Sequence, residues 1–519
     1  MTPTTAPTPL LPPAAPASAH APLPGTETAV DAFAVRTLCC RVRGDRLQLA
    51  SRADALAEGC DLDPQALFDY LFFHAIPSPR TVFQGVQRVP PAHRAELVDG
   101  QVRMTRTWTP EFEPDPSPDF DRLRGEFRAA LQAAVASRLD GGKAACFLSG
   151  GTDSSTVAGM IGLASGKPAA TFSIGFEAEG YDEMAYARIA ARHFGTEHHE
   201  YYVTPEDLVR HIPAVAAHHD QPFGNSSALP AYCCALRAKE AGVTRLLAGD
   251  GGDELFGGNS RYAKQRIFGG YGLLPGPLRR GLLEPFFGLP AVAQTPLLKK
   301  GSSYIEQARV PMPDRLQMYN LLRRLGMRDV LEPGFLARID PEGPARQQRE
   351  VYAQARARHE IDRMLAFDWR YTLAESDLPK VRGAAELAGI EVAFPMLDDA
   401  LLAMALRLPP GYKLRGLKLR WFFKEALRGF LPNEILTKKK QGFGLPFGVW
   451  ATRHTALGAL ASDSLNSVAT RGIVRASFVK SLLSELLPAH PGYYGEMVWI
   501  LMMLEQWLRR VRPDGRAPF

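Results

Sequence analysis

One stretch limits what this chain can fold into more than any other. Ala144 to Leu148 is a short apolar run, read as a buried parallel strand. Ser149, Gly150, Gly151, Thr152, Asp153, Ser154 and Ser155 form a tight loop. Val157, Met160, Ile161 and Ala164 then recur at helical spacing. A strand, a glycine loop and a helix N-terminus together make an anion site. Glycine lets backbone N–H groups come close, and the helix dipole favours negative charge. No lysine follows the glycines, so this is not the GxxxxGK[ST] phosphate loop. Alone, the string could also be a plain strand–turn–helix with small residues in the turn.

The neighbouring segments extend the pattern. Residues 170–176 and 197–203 read as strands, with a helix over 181–195 between them. Helices over about 205–218 and 228–241 precede a fourth strand at 243–249. Alternating strands and helices predict an α/β fold, a doubly wound parallel sheet with ligands at the strand carboxyl ends. The fourth strand runs into DGGDELFGG (250–258), where Asp250, Asp253 and Glu254 lie among four glycines. The SGGxDS string resembles the pyrophosphate-binding loop of the ATP pyrophosphatase superfamily, which implies ATP. If the two loop-bearing strands are neighbours, Asp153 and Asp253 can face one Mg²⁺ carrying the phosphates. Magnesium takes hard oxygen ligands, typically one or two carboxylates plus phosphate and water. An acidic surface turn is the alternative for 250–258. Only fourteen residues are lysine, and six of them lie at 413, 418, 424 and 438–440. By spacing alone that cluster is a solvated basic face or a nucleic-acid patch.

Composition narrows the function classes. Lys+Arg 61 against Asp+Glu 55 gives +6 over 519 residues, too small an excess to demand nucleic acid. No run of about eighteen apolar residues occurs, so no membrane partner is expected. The six cysteines include two adjacent doublets, poor geometry for disulfides. They read as reduced thiols of a cytoplasmic protein. Residues 1–30 hold eight Pro, seven Ala and six Thr, and read as a disordered tail. Residues 31–112 read as a small α+β piece: a strand at 46–51, a helix from Asp63 or Pro64 through Phe72, and a hairpin turning at Asp99-Gly100. Residues 118–258 then form the nucleotide-binding core and 259–519 a large helical region.

Taken together, these segments resemble the asparagine synthetase family and its amide-forming relatives, including the β-lactam synthetases. SGGTDSS, DQPFGNSSALPAY (220–232), AGDGGDELFGG, PMLD (395–398), KKKQGFGLPF and YGEMVWILMMLEQWLRR (494–510) carry the resemblance. The last is apolar all round, which predicts burial. The resemblance implies attack of a carboxylate on the α-phosphate of Mg-ATP, giving an acyl-adenylate and pyrophosphate, then displacement of AMP by an amine. By position it implies Leu148, Ile174 and the Gly249 backbone against the nucleoside. Ser149, Gly150, Gly151, Asp153 and Ser154 would hold pyrophosphate, and Asp153 and Asp253 would hold Mg²⁺. Lys440 matches the lysine that stabilises the adenylation transition state. Asp250 is the candidate base for the amine, and Glu391 and Asp398 are kept from the family stretch.

The departures bear on substrate. The glutamine-using members begin with Met-Cys, whereas residue 2 here is Thr2. Residues 31–110 resemble only the last part of their glutaminase domain. Cys39 and Cys40 are internal, where a nucleophile relying on its own α-amino group could not work. Loss of glutamine hydrolysis is therefore expected. The amine would be ammonia, ammonia from a separate glutaminase, or an amine on another substrate. Asp250 replaces a glutamate. Arg382, Gly383, Glu386 and Ala393 replace Asp, Arg, Met and Arg, and the missing guanidinium at 393 puts aspartate as the carboxylate in question. Arg420 and Lys424 exchange cation types with the family pattern. The natural carboxylate could instead sit on a specialised metabolite, a peptide or a glycan. A different superfamily chemistry, such as thiolation or amidation of tRNA, and a non-catalytic ATP-binding relative are the remaining alternatives.

Overall fold

A computed structural model describes residues 28–272, 274–289, 292, 295–439 and 444–515. The expected tail lies outside the described residues up to position 27. Its last three residues are ordered against the hairpin, with Ala29 bridging Arg94 and the Val30 N–H donating to the His93 carbonyl.

The centre is a five-stranded sheet. β6 (Ala145–Phe147), β7 (Ala170–Phe176), β8 (Glu197–Val203), β9 (Arg245–Leu247) and β10 (Glu391–Ala393) lie in the order β10-β9-β6-β7-β8. Every pairing is parallel. The crossovers are helices, as a parallel sheet requires. After α2 (Phe120–Ala136), which leads into β6, they are α3 (Thr152–Ser165), α4 (Met184–Phe194), α5 (Pro205–His218) and α6 (Ala228–Glu240). Local chemistry sets their ends. Gly166 and Gly195 close α3 and α4 in the left-handed conformation. Thr204 and Asp207 form a reciprocal capping box at the start of α5, with Pro205 in the first turn. The α/β doubly wound expectation holds. β6 and β9 are direct neighbours through Ala145↔Leu246 and Cys146↔Leu247, so the glycine loop and the acidic loop emerge side by side.

The N-terminal piece has β1 (Cys39–Arg43), β2 (Arg46–Ala50) and β3 (Val86–Arg88) in one antiparallel sheet, with α1 (Pro64–Phe73). β4 (His93–Val98) and β5 (Gln101–Arg106) form the expected hairpin. Asp99 (φ 50°) and Gly100 (φ 75°) give the turn its required positive φ angles. Helix α1 does not pack alone. Phe68, Leu71 and Phe72 share one core with Met497, Trp499 and Leu501 of the closing helix Pro491–Val511, and the Tyr70 hydroxyl donates to the Ile500 carbonyl at 2.8 Å. Among the described residues no helix is long and apolar enough to cross a membrane.

A buried charge network also ties this piece to the helical region. Glu375 accepts from Arg88, Arg370, and the Ser78 hydroxyl (2.7 Å) and N–H (3.1 Å). Burial alone would raise the Glu375 carboxyl. Arg370, Arg88 and the Ser78 donors outweigh it and hold the group below its usual value. Glu375→Ala strands two buried guanidinium groups and should cost about 3–5 kcal/mol in urea unfolding. The stabilisation is fully present above the unfolded carboxylate pKa and is lost as pH falls through the lower folded value. An unchanged unfolding midpoint in the variant would refute this role.

Candidate active site

The cleft opens at the carboxyl ends of β6, β7 and β9 and has a volume of about 320 Å³. That lies within the range of small-molecule ligand pockets. Leu148, Ser149, Asp153, Ser154, Ile174, Gly249, Asp250 and Asp253 all line it. Eight of the residues singled out from sequence therefore meet in one place.

The glycine loop is built by close approach. The Ser149 N–H donates to Ser154 Oγ at 3.1 Å, and the Gly151 N–H to Ser149 Oγ at 3.3 Å, so the loop folds back on itself ahead of α3. Gly150 has φ +67°, and a Cβ there would sit 2.4 Å from the backbone of Tyr186 and Ala187. Gly150→Ala must push the loop away from α4, and Mg-ATP affinity measured by calorimetry should fall at least about tenfold. An unaltered affinity would show that the loop does not bind phosphate. A Cβ at Gly249 would come within 2.9 Å of the Asp153 and Ser154 backbone, so glycine is what allows the β9 loop to lie on the β6 loop.

Asp153, at the start of α3, and Asp253, in α7 (Gly252–Phe256), aim at a common point. The guanidinium of Arg420 occupies it. Nη1 donates to Asp153 Oδ2 and to Asp253 Oδ1, each at 2.7 Å, and to Thr152 Oγ1 at 2.8 Å; Nη2 bonds Asp153 Oδ1. Arg420 is 4% exposed and sits 3.9 Å over the Phe423 ring, from a backbone held at φ 53°. Burial opposes its charge, but Asp153 and Asp253 more than offset that and raise its pKa. Two converging carboxylates are the hard oxygen set that Mg²⁺ takes, so the residues fit the ion. In this conformation the site is shared with a cation of the chain's own.

Asp250 faces a second cation. Lys380 Nζ lies 3.5 Å from Asp250 Oδ1 and 2.9 Å from Asp377 Oδ1. Burial pushes the Asp250 carboxyl up, against the pull of Lys380. Among the described residues lining the cleft, Lys380 is the one cation, and both acids already engage it. Asp377 and Lys380 lie where the π-helix Trp369–Asp377 runs into the helix Leu378–Ala388. Sequence reasoning missed both residues, along with the apolar lining of Phe172, Pro230 and Val381.

Two expected residues are not brought to the cleft. Glu391 starts β10, at the end of the sheet opposite the loops. There it is exposed and paired with Arg245 at 2.9 Å. Asp398 caps the helix Asp399–Arg407 and bonds Arg138. Lys440 lies outside the described residues. The start of its lysine run is described: Lys438 pairs with Glu183 at 2.9 Å and lies 4.5 Å from the Tyr186 ring, beside the glycine loop.

Comparison with known proteins agrees with this geometry. The sequence profile of the family "Asparagine synthase" matches residues 126–509. The chain is 24% identical over 487 residues to asparagine synthetase [glutamine-hydrolyzing] 1 of Bacillus subtilis, covering 92% of this chain and 74% of that protein. It is 29% identical over 402 residues to a putative asparagine synthetase [glutamine-hydrolyzing] of Mycobacterium tuberculosis, covering 75% of this chain. A putative asparagine synthetase of Methanocaldococcus jannaschii is 35% identical over 202 residues. The chain spans 59% of the length of the mycobacterial protein. With the profile spanning most of the chain and the glycine and acidic loops meeting in one cleft, this protein belongs to the asparagine synthase family.

Proposed function

We propose that this chain is an ATP-dependent, amide-bond-forming ligase. The observation that supports it best is the convergence of the SGGTDSS loop and the DGGDELFGG loop on one cleft. A substrate carboxylate oxygen attacks the α-phosphorus of ATP, and the bond to pyrophosphate breaks. An amine nitrogen then attacks the acyl carbon and AMP leaves. Leu148, Ile174 and the Gly249 backbone hold the nucleoside. Ser149, Gly150, Gly151, Asp153 and Ser154 orient the polyphosphate. Asp153 and Asp253 would hold Mg²⁺, which would supply charge neutralisation there. Lys440 takes the role its motif implies, countering charge in the transition state. Asp250 accepts the amine proton, and its raised pKa makes it a stronger base than an ordinary carboxylate.

Cys39 and Cys40 are buried and internal, and burial pushes the Cys40 thiol up to about 11. Neither suits a glutamine-hydrolysing nucleophile. We therefore assign the amine to ammonia, free or from a separate glutaminase, or to an amine-bearing substrate. None of the six cysteines pairs, which fits a reducing cytoplasm.

Ala393, at the carboxyl end of β10, offers no guanidinium, and Lys380 is already held by two acids. That favours a carboxylate on a larger metabolite, peptide or glycan over free aspartate. The test is pyrophosphate and AMP release from Mg-ATP with aspartate and ammonium, together and singly, and with glutamine in parallel. Turnover with aspartate and ammonium would make this an ammonia-dependent asparagine synthetase. No release with any carboxylate screened, despite intact Mg-ATP binding, would sink the ligase reading.

A further inference from the structure

Outside the cleft, one surface stands apart from the rest of the molecule. Gly276 to Gly288 form one helical stretch with a π turn over 279–283. Its inner side is satisfied. Leu283 and Phe287 pack with Tyr304 on a small cluster of Phe268, Tyr271, Ile305 and Ala308, and the Arg279 guanidinium lies 5.5 Å over the Tyr271 ring. Its outer side is also apolar. Leu274, Leu278, Leu282, Phe286 and Leu289 follow at four- and three-residue steps, and all are 37–58% exposed. Among the exposed residues between 274 and 289 the others are Pro, Gly and a single polar side chain, Arg280. A contiguous apolar row of this kind is uncommon on a free surface and marks a docking face.

Charge says what docks. Residues 260–310 hold eight basic and two acidic residues. The segment's net +6 equals that of the entire 519-residue chain. Arg280, Lys299 and Lys300 are all exposed. A second copy would bring the same excess against itself. An apolar phase beneath an anionic surface meets both the apolar row and the flanking cations.

We infer that the helix 276–288 seats the protein on an anionic lipid bilayer, with Leu278, Leu282 and Phe286 in the acyl boundary and the flanking cations at the headgroups. The expectation of no membrane partner rested on the lack of a spanning segment, and an interfacial helix needs no such segment. One short helix and a few cations give reversible, salt-sensitive attachment.

The full chain should float with vesicles of phosphatidylcholine mixed with phosphatidylglycerol, and not with phosphatidylcholine alone. The combined variant Leu278→Gln, Leu282→Gln, Phe286→Gln changes only exposed positions. It should keep its circular dichroism and lose at least about tenfold in vesicle affinity. Arg280→Gln with Lys299→Gln and Lys300→Gln should erase the preference for anionic vesicles. A wild-type chain that ignores both vesicles, or an apolar variant that binds as well, overturns the proposal. So does a wild-type dimer without lipid affinity that the apolar variant turns monomeric, since the face would then belong to a second copy.

Discussion

Asp253→Asn should leave the fold intact and remove most Mg²⁺-dependent nucleotide chemistry. The substitution keeps the side-chain shape and deletes one charge from the pair that converges with Asp153. Asp253 lies at the start of the five-residue helix α7, and its carboxylate bonds Arg420, which Asp153 also holds. Loss of the charge therefore does not leave a guanidinium unpaired. The stability cost should be small. The functional cost should be large, because oriented charge in a partly desolvated cleft is worth far more than in water. We expect pyrophosphate release to fall by about 10²–10³-fold. Calorimetry separates this from a general defect: Mg-ATP should bind more weakly, while metal-free ATP should bind as in the parent. Equal loss for both forms would mean that Asp253 acts on the nucleotide directly or on folding. Unchanged Mg-ATP binding and turnover would remove it from the metal site.

The sequence made that pair visible because motif and topology point the same way. SGGTDSS predicts a strand, a loop and a helix start. DGGDELFGG predicts a second loop after a strand. Only adjacency of the two strands was left to establish, and β6 pairs with β9. The hairpin at Asp99-Gly100 was legible for a similar reason, since a two-residue turn with positive φ is written in local chemistry. What escaped was long-range. Strand β10 is three residues long and lies more than a hundred residues after the β9 it joins, with no local pattern to announce it. Glu391 was singled out by position in a motif, and position does not tell which end of a strand a residue occupies. It stands at the amino end, away from the loops. Asp377 and Lys380 sit beside Asp250 where the π-helix ends at Asp377 and runs into the helix that carries Lys380. The exchange of cation type at 420 was plain in the sequence. That the guanidinium would stand between Asp153 and Asp253 was not.

That placement carries the second large effect. Arg420→Met removes the cation and leaves two carboxylates facing one point. Asp153 and Asp253 keep 19% and 22% of their side-chain surface, so the repulsion is partly screened. A cost near the low end for a broken buried pair, about 3 kcal/mol, is expected without divalent ions. Magnesium then has a vacated anionic site. An ion that binds only the folded state stabilises it by RT ln(1 + [L]/Kd), about 2.7 kcal/mol at a hundred times Kd. Mg²⁺ should therefore raise the melting temperature of Arg420→Met by several degrees more than that of the parent, where the ion must displace or share with a guanidinium. Arg420→Lys keeps one charge but cannot span both carboxylates, and its response should fall between the two. Turnover by Arg420→Met should drop as well, but the melting response needs no substrate. Equal Mg²⁺ shifts in all three proteins would mean that the guanidinium and the metal do not compete. Arg420 would then be a fixed part of the phosphate cradle and not a cation that yields its place.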